Sequence, residues 1–259
     1  MIACRTMGGV GNQMFQIAFI ESLGAEYNMD VLYTHVENNC NYNINVHHRP
    51  AQEYYTMFKN VDWFKNLERI GEINKVQKVS PFYTKITPVD GTEYVGYFQS
   101  EKYFDKDLAQ WLFMPSDKIK ALTLEYDRLF KGTTCSVHVR RGDYLKLSHI
   151  HPVLDISYYN EAFSIMERQS IDKYLVFSDD IAWCKENFIG EKFVFIEEKD
   201  YIALFLMAKC THHIIGNSSF SWWGAYLGNV GMVIAPKKYV CDAMMEDHRD
   251  VIPNDWIKI

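Results

Sequence analysis

The sequence has little cysteine, and its cysteines are widely spread. Six occur in 259 residues, and the two nearest to each other, Cys184 and Cys210, are 26 positions apart. Structural zinc sites and redox-active CxxC pairs need sulfur ligands only a few residues apart, so this spacing excludes both. So dilute a usage predicts buried free thiols in a reducing compartment rather than a disulfide framework.

Long hydrophobic runs are absent as well. No run of about eighteen apolar residues, the length that predicts a membrane-spanning helix, occurs in the chain. Residues 1–10 contain a single arginine and no apolar stretch long enough for the core of a signal peptide. We therefore predict no transmembrane segment and a cytoplasmic location.

Basic residues do not exceed acidic ones. Lys and Arg total 27 against 33 Asp and Glu, which gives a formal net charge of −6. A nucleic-acid partner attracted by the overall field is therefore disfavoured, although a local group of arginines could still bind a small anion. Glycine and proline are scarce, at 14 and 7 residues, and 48% of the residues are hydrophobic. This composition excludes a disordered chain and predicts one large or two modest globular domains.

Strand-like and helix-like segments alternate along much of the chain. An apolar run at residues 1–4, a glycine turn at residues 8–13 and a helical pattern up to residue 27 form a first strand–turn–helix unit. The pattern between residues 31 and 113 predicts no topology. We place a domain boundary between residues 120 and 121, and the tail from residue 239 either stays in the second domain or crosses back to the first.

After residue 131 the alternation becomes regular and predicts a parallel, doubly wound sheet of an α/β domain. The predicted strands are residues 135–139, 174–177, 193–196, 213–215 and 232–235. The predicted helices are residues 156–169, 181–188, 201–209 and 220–227.

One predicted strand ends in two arginines, Arg140 and Arg141, followed by Gly142 and Asp143. Period-two alternation places His138 and Arg140 on one face of this strand. Open α/β sheets bind ligands beyond the carboxyl ends of their strands, and a guanidinium group suits phosphate because it stays charged and donates in a planar fork. The alternatives are a surface arginine paired with Asp143 or a chance adhesion tripeptide.

Another motif lies at the start of a predicted helix. The hydroxyls of Ser218 and Ser219, with the free N–H groups of the helix start, form a cradle for an anion that needs no lysine. The alternative is an ordinary capped helix that packs through Trp222 and Trp223. Asn217 begins an N-glycosylation sequon, which has no meaning in a cytoplasmic protein.

Carboxylates follow a third predicted strand, at Asp179 and Asp180. A carboxylate in this position either accepts hydrogen bonds from a nucleobase edge or a ribose, or caps the next helix.

The glycine turn is not a dinucleotide-binding fingerprint, because Met14 stands where the third glycine would be, and it lacks the Gly-Lys-Ser/Thr of a P-loop. Its glycines allow a ligand to approach the backbone, next to the side-chain amides of Asn12 and Gln13.

No metal site is predicted. Residues 105–107 (DKD) have the DxD form of metal-dependent sugar transferases, but they open a predicted amphipathic helix, so capping of its first turn is the favoured interpretation. The histidines at 47–48 and 212–213 are adjacent, whereas a metal-binding pair on a helix needs i, i+4 spacing.

Five blocks follow one another in a recognisable order: residues 8–16 (GGVGNQMFQ), 96–104 (GYFQSEKYF), 138–144 (HVRRGDY), 177–180 (FSDD) and 217–225 (NSSFSWWGA). Together they resemble the motifs of the α-1,2-fucosyltransferases of glycosyltransferase family 11. The HxRR part of the third block is shared more loosely with α-1,6- and protein O-fucosyltransferases.

This resemblance implies a GT-B-like architecture, with two Rossmann-like domains facing a central cleft. It implies transfer of fucose from GDP-fucose to the 2-hydroxyl of a terminal galactoside, with inversion and without a metal or other cofactor. Residues 1–120 would form the acceptor-side domain and residues 121–259 the GDP-fucose-binding domain. The acceptor would be a galactose-terminated glycan, with peripheral encounter with lipid-linked glycans as one option.

The resemblance also assigns roles to residues. Departure of GDP leaves negative charge on the β-phosphate, and without a metal a cation of the protein must meet that charge. This role is assigned to Arg140, with Asp143 orienting the arginines and Asp179 at the guanine edge. Donor-binding roles fall to His138, Arg141, Asp143, Asp179, Ser218, Ser219 and Phe220 in the second domain and to Gly11, Asn12 and Gln13 in the first. The general base stays unassigned among His138, His151 and Asp155.

Two other functions compete with this interpretation. A fucosyltransferase that makes an α-1,6 or protein-linked product would share the HxRR motif. A sugar-binding lectin would suit the aromatic content of 15%, although a lectin has no use for paired arginines at the end of a strand.

Overall fold

The computed structural model describes residues 1–35, 54–228, 231–244 and 248–259. The chain divides into two units: unit 1 is Met1–Ser116 with Asp247–Val251, and unit 2 is Asp117–Glu246 with Ile252–Ile259. The histidine pair at 47–48 and Cys40 lie outside the described residues. No helix within the described ranges is long and apolar enough to cross a membrane.

Unit 1 contains a parallel four-stranded sheet. Its strands are β1 (Ile2–Thr6), β2 (Val31–His35), β3 (Lys75–Lys78) and β4 (Thr92–Val95), in the order β2-β1-β4-β3. Its helices are α1 (Val10–Tyr27) and α2 (Lys106–Leu112), with 3₁₀ turns at Tyr54–Thr56, Leu67–Glu72 and Glu101–Tyr103.

Helix α1 forms the core of unit 1 with the sheet. Phe19 on α1 stacks on Phe98 with ring centroids 3.8 Å apart and meets Tyr94 of β4 edge-on. The helix ends at Asn28, which has a left-handed backbone (φ 50°), a conformation that asparagine tolerates and that stops helix propagation. Near the carboxyl terminus, Asp250 accepts hydrogen bonds from the Tyr83 N–H and the Lys102 ammonium group within the same unit.

Unit 2 contains a parallel six-stranded sheet. Its strands are β5 (Thr134–Val139), β6 (Lys173–Ser178), β7 (Phe193–Ile196), β8 (His212–Ile214), β9 (Val233–Ala235) and β10 (Ile257–Lys258), in the order β10-β9-β8-β5-β6-β7. Its helices are α3 (Asp117–Leu124), α4 (Ile156–Met166), α5 (Ile181–Asn187), α6 (Asp200–Ala208) and α7 (Ser219–Gly228). Its 3₁₀ turns are Asp127–Phe130, Asp143–Leu145, Glu167–Gln169 and Asp242–Met244.

The predicted α/β class and the five predicted strands of unit 2 are confirmed. Val137 and Val139 of β5 belong to the buried cluster formed with α4 and α5, while the His138 ring lies 5.7 Å from Phe220 of α7. The period-two alternation of β5 is therefore real, and polar side chains share one face of this central strand. Strand β10, which pairs with β9, was not predicted.

The cysteines that the structure describes carry free thiols. Cys4, Cys135, Cys184 and Cys210 are buried, and Cys241 is half-buried. Burial raises the pKa of each of the four buried thiols, which keeps them protonated and unreactive.

Candidate active site

Three neighbouring parallel strands of unit 2 end at the same edge of the sheet. Strand β5 lies between β8 and β6, with Val139 opposite Ser178 and Val137 opposite Ile214. The residues that follow these strands therefore emerge side by side, at the edge where α/β sheets bind ligands. The arginine turn (residues 140–143) follows β5, and Asp179 follows β6.

Arg140 lies between two carboxylates. Its Nη2 is 2.7 Å from Oδ1 of Asp143, and its Nη1 is 2.9 Å from Oδ2 of Asp179. Its guanidinium carbon lies 5.4 Å from the centre of the Tyr144 ring. The side chain is 34% exposed, so this held cation still faces solvent.

Arg141 is held in a different way. Its Nε donates to Oδ2 of Asp180 at 3.1 Å, and its guanidinium carbon lies 4.4 Å from the centre of the Trp183 ring. The side chain is only 17% exposed. Its backbone N–H donates to Oδ1 of Asp179 at 2.9 Å. Both oxygens of Asp179 therefore contact the arginine turn.

Gly142 lets the arginine turn approach Asp179. A Cβ atom at this position would lie 2.6 Å from Oδ2 of Asp179, which is closer than real Cβ contacts come. Any side chain here would push the carboxylate away from Arg140, so the close packing of the two segments depends on glycine.

His138 is buried beneath the arginine turn and is neutral at physiological pH. Burial, with the nearby Arg140 charge, outweighs the opposing effect of Asp179 and lowers the pKa of its imidazole to about 4. Its Nδ1 has no hydrogen-bond partner among the described residues. Gly216 packs against this residue, since a Cβ there would lie 3.2 Å from the His138 carbonyl oxygen.

Asn217 ties together three segments at this edge of the sheet. Its backbone carbonyl accepts a hydrogen bond from the Tyr144 hydroxyl at 3.0 Å. Its side-chain N–H₂ donates to the carbonyls of Pro152 and Tyr239 at 2.9 and 3.2 Å. Tyr144 also stacks on His151, with ring centroids 4.4 Å apart. Asn217 is buried, so its sequon is out of reach in the folded chain.

The residues predicted to cradle an anion lie at the start of α7. The Ser218 hydroxyl accepts from the Phe220 N–H at 3.4 Å, and Ser219 begins the helix. Trp222 and Trp223 are fully buried, so the helix packs as the structural alternative predicted. The two interpretations are compatible, because the packing fixes the helix whose N-terminus faces the edge.

The glycine turn lies in unit 1 and is held by amide groups. Oδ1 of Asn12 accepts from the Gln99 side chain at 2.8 Å, and Nε2 of Gln13 donates to the Gly8 carbonyl at 2.8 Å. Buried Gln16 accepts from the Met7 N–H at 2.9 Å and donates to the Gly96 carbonyl at 3.0 Å. Gly8 has φ +79°, which an L residue adopts only under strain.

A family model described as glycosyl transferase family 11 matches residues 79–259 of this chain. An α-1,2-colitosyltransferase of Escherichia coli is 31% identical over 295 aligned positions, which cover 100% of this chain and 99% of that protein. The chain belongs to glycosyltransferase family 11. The predicted family and the predicted glycosyltransferase activity are confirmed.

Two further relatives match this family 11 glycosyltransferase over shorter stretches. The O-antigen biosynthesis glycosyltransferase WbnK of E. coli is 33% identical over 55% of this chain and 53% of its own length. The gorilla galactoside α-(1,2)-fucosyltransferase 2 is 34% identical over 37% of this chain and 31% of its own length. The chain therefore spans about half or less of these two relatives.

Two fucosyltransferases of known structure share the fold of the family 11 glycosyltransferase. NodZ from Bradyrhizobium superposes with a TM-score of 0.56 at 13% identity, covering 90% of this chain and 94% of NodZ. POFUT1 in complex with GDP-fucose superposes with a TM-score of 0.57 at 11% identity, covering 88% and 94%. The α/β fold is therefore GT-B-like, as predicted.

The described part of the glycosyltransferase contains no group of three or more His, Cys, Asp or Glu that could hold a metal ion. Asp105 of the DKD segment caps α2 and accepts from the Leu108 N–H at 2.8 Å, which confirms the capping interpretation. Asp155 likewise caps α4, and its hydrogen bonds from Ser157 lower the pKa of its carboxyl. A carboxylate held in this way is a poor general base.

The structure brings most of the predicted site residues of unit 2 together. His138, Arg140, Arg141, Asp143 and Asp179 form one cluster, and Ser218 and Phe220 follow the neighbouring strand. Gly11, Asn12 and Gln13 lie in unit 1. Sequence reasoning missed Tyr144, Trp183 and the tethering role of Asn217, although Tyr144 stands inside the HVRRGDY block.

Proposed function

We propose that this glycosyltransferase transfers fucose from GDP-fucose to the 2-hydroxyl of a terminal galactoside, with inversion at the anomeric carbon and without a metal ion. The proposal rests on the geometry of Arg140. Two carboxylates orient its guanidinium group at the edge of a parallel sheet where ligands bind. Membership of family 11 supports it, because relatives with α-1,2-fucosyltransferase names belong to the matches.

Arg140 stabilises the charge that develops as GDP leaves. The galactoside oxygen attacks the anomeric carbon on the face opposite the diphosphate, and the bond from that carbon to the β-phosphate oxygen breaks. The electron pair stays on the β-phosphate, where the positive charge of Arg140 lowers the energy of the transition state. Asp143 and Asp179 orient the guanidinium beforehand, so little reorganisation is needed during the reaction.

Asp179 fits this orienting role better than contact with the guanine edge. Its two oxygens already accept from the Arg141 N–H and from Arg140. We therefore assign Asp179 to positioning Arg140. His138, Arg141, Ser218, Ser219 and Phe220 complete the donor site in this proposal, with residues 121–259 forming the donor domain.

The first domain, residues 1–120, is assigned to the acceptor side, and its Gly11, Asn12 and Gln13 are assigned to the donor. The acceptor proton has no assigned base. The buried thiols support a reducing, cytoplasmic setting, in which a lipid-linked glycan would be met peripherally.

GDP-colitose is a second candidate donor. The relative that covers the whole chain is named an α-1,2-colitosyltransferase. Colitose is fucose without its 3-hydroxyl, so the same diphosphate chemistry applies to both donors. Only contacts between the protein and the 3-hydroxyl of fucose would allow the enzyme to distinguish the two donors.

A donor and acceptor panel tests the proposal. The purified protein is incubated with GDP-fucose or GDP-colitose and a series of β-galactosides, with and without EDTA, and products are identified by mass and linkage analysis. We expect α-1,2-linked fucose, undiminished turnover in EDTA and no product on a matched 2-deoxygalactoside. If the enzyme prefers GDP-colitose, GDP-colitose replaces GDP-fucose as the assigned donor. An α-1,6 product, or activity lost in EDTA and restored by Mn²⁺, would contradict the proposal.

A further inference from the structure

Trp183 supports the arginine turn from the adjacent helix. It lies in the first turn of α5, and its backbone N–H donates to Oδ1 of Asp180 at 3.1 Å, which caps the helix. The other oxygen of the same carboxylate accepts from Nε of Arg141 at 3.1 Å. Asp180, the N-cap residue of α5, therefore also anchors Arg141 in the turn that follows β5.

The indole of Trp183 is itself held by packing. It is half-buried, and its ring centroid lies 5.8 Å from that of Phe188 and 6.2 Å from that of Tyr159. Both neighbours belong to the buried cluster between the sheet and α4 and α5. Trp183 therefore offers a fixed aromatic face, on which the Arg141 guanidinium lies at 4.4 Å.

The anchored Arg141 transmits this support to Arg140. With its side chain held by Trp183 and Asp180, the Arg141 backbone N–H donates to Oδ1 of Asp179 at 2.9 Å. Oδ2 of that carboxylate lies 2.9 Å from Nη1 of Arg140. Loss of the aromatic face would loosen Arg141 and, through Asp179, the orientation of the Arg140 guanidinium.

We propose that Trp183 is a positioning residue for the transfer reaction and that Arg141 acts mainly as the anchor between Trp183 and Asp179. The inference rests on the proposed function of Arg140. Arg140 is twice as exposed as Arg141, at 34% against 17%. Arg140 is therefore the arginine that meets the leaving diphosphate, while Arg141, beside it in the donor site, mainly holds the turn.

Kinetics of Trp183 variants test this division. We expect W183L to lower kcat about tenfold, because misplacement of a charge-stabilising group mainly affects the transition state, while KM for GDP-fucose changes less than about threefold. W183F, which keeps an aromatic face, should recover most of the loss. F163L is the matched control, since Phe163 packs against the same cluster and its ring contacts are with Tyr174, Phe188 and Phe193.

The Arg141→Lys variant tests the anchor without changing the core. Lysine keeps the charge but loses the planar group that lies on the indole, so R141K should lose kcat as W183L does. In the double variant the two losses should not add, because both remove the same contact. If W183L does not fold, R141K and W183F carry the comparison.

A measurement independent of activity separates this inference from the proposed function. In ¹⁵N-arginine-labelled protein, the Nε–H proton of Arg141 should be shifted upfield by the indole ring, and the shift should vanish in W183L but persist in F163L. A wild-type protein that shows the shift without transferring sugar would contradict the proposed function. Wild-type kcat in W183L, additive losses in the double variant, or an unchanged shift in W183L would overturn the inference.

Discussion

The glycine turn of unit 1 and the arginine turn of unit 2 both follow a buried parallel strand, but they are stabilised by different chemistry. In the glycine turn, neutral amides of Gln13 and Gln16 bind backbone groups directly. In the arginine turn, two guanidinium groups meet three carboxylates, those of Asp143, Asp179 and Asp180.

The two kinds of contact suit different purposes, one structural and one catalytic. Amide hydrogen bonds satisfy buried backbone groups without placing a charge in the interior, so they fix the path of the chain at little electrostatic cost. Ion pairs at a partly exposed edge contribute little to stability, but they hold a cation in a defined orientation. The glycine turn is therefore expected to matter most for folding, and the arginine turn for catalysis.

Arg140→Ala should have the largest effect and should act on catalysis alone. Removal of one preorganised charge-stabilising donor typically costs about 10²–10³ in rate. Melting temperature should change little, because the Arg140 side chain is 34% exposed. Steady-state turnover with GDP-fucose and thermal unfolding check this. Exposed Arg168, outside the cluster, provides the control Arg168→Ala. Near-normal turnover in R140A would refute the assignment.

Gln16→Leu should disrupt the glycine turn and lower the free energy of unfolding. Leucine fills a similar volume but leaves the Met7 N–H and the Gly96 carbonyl without this partner. An unsatisfied buried polar group costs about 1–3 kcal/mol, which should appear as a loss of unfolding free energy in urea. Gln77→Leu, on exposed β3 of the same unit, is the control. Equal stability of the two variants would show that the amide bridge is dispensable.

Mild acid should weaken unit 2 before unit 1, and this is the smallest effect. Burial lowers the pKa of His213 to about 3 and, with Arg140, that of His138 to about 4. Both stay neutral when folded but gain protons on unfolding below about pH 6.5, so their stabilisation is present above that pH and is lost as the pH falls. From pH 7 to pH 6 the expected loss is about 1 kcal/mol.

Unit 1 should lose stability only at a lower pH, because of the carboxylate of Asp250. Burial alone would raise the pKa of Asp250, but Lys102 lowers it below the usual value. Its stabilisation is therefore lost only as the pH falls below about 4. Hydrogen-exchange protection factors of β5 and β8, compared with β1 and β4, measure the difference. The variant His213→Gln should reduce the dependence on pH, whereas exposed His149→Gln should not. Equal losses in both sheets would contradict the comparison.

The sequence predicted those parts of the fold in which the local pattern of residue types reflects burial or helix capping. The alternation in β5 predicted that His138 and Arg140 share a face, and the capping geometry of Asp105 followed from its place before a helix. Strand β3 gave no such signal, because all four of its residues are exposed and no apolar alternation marks it. The two-residue strand β10 is too short for any pattern.

The order of residues along the chain was enough to predict that two arginines follow a buried strand, that the chain carries family 11 motifs, and that helices and strands alternate in the second half. These are properties of neighbours along the chain. Folding brings Arg141 onto Trp183, 42 positions later, and lets Asn217 tether Tyr144, Pro152 and Tyr239. Such contacts depend on strand order and packing distances, which no local spacing of residues encodes.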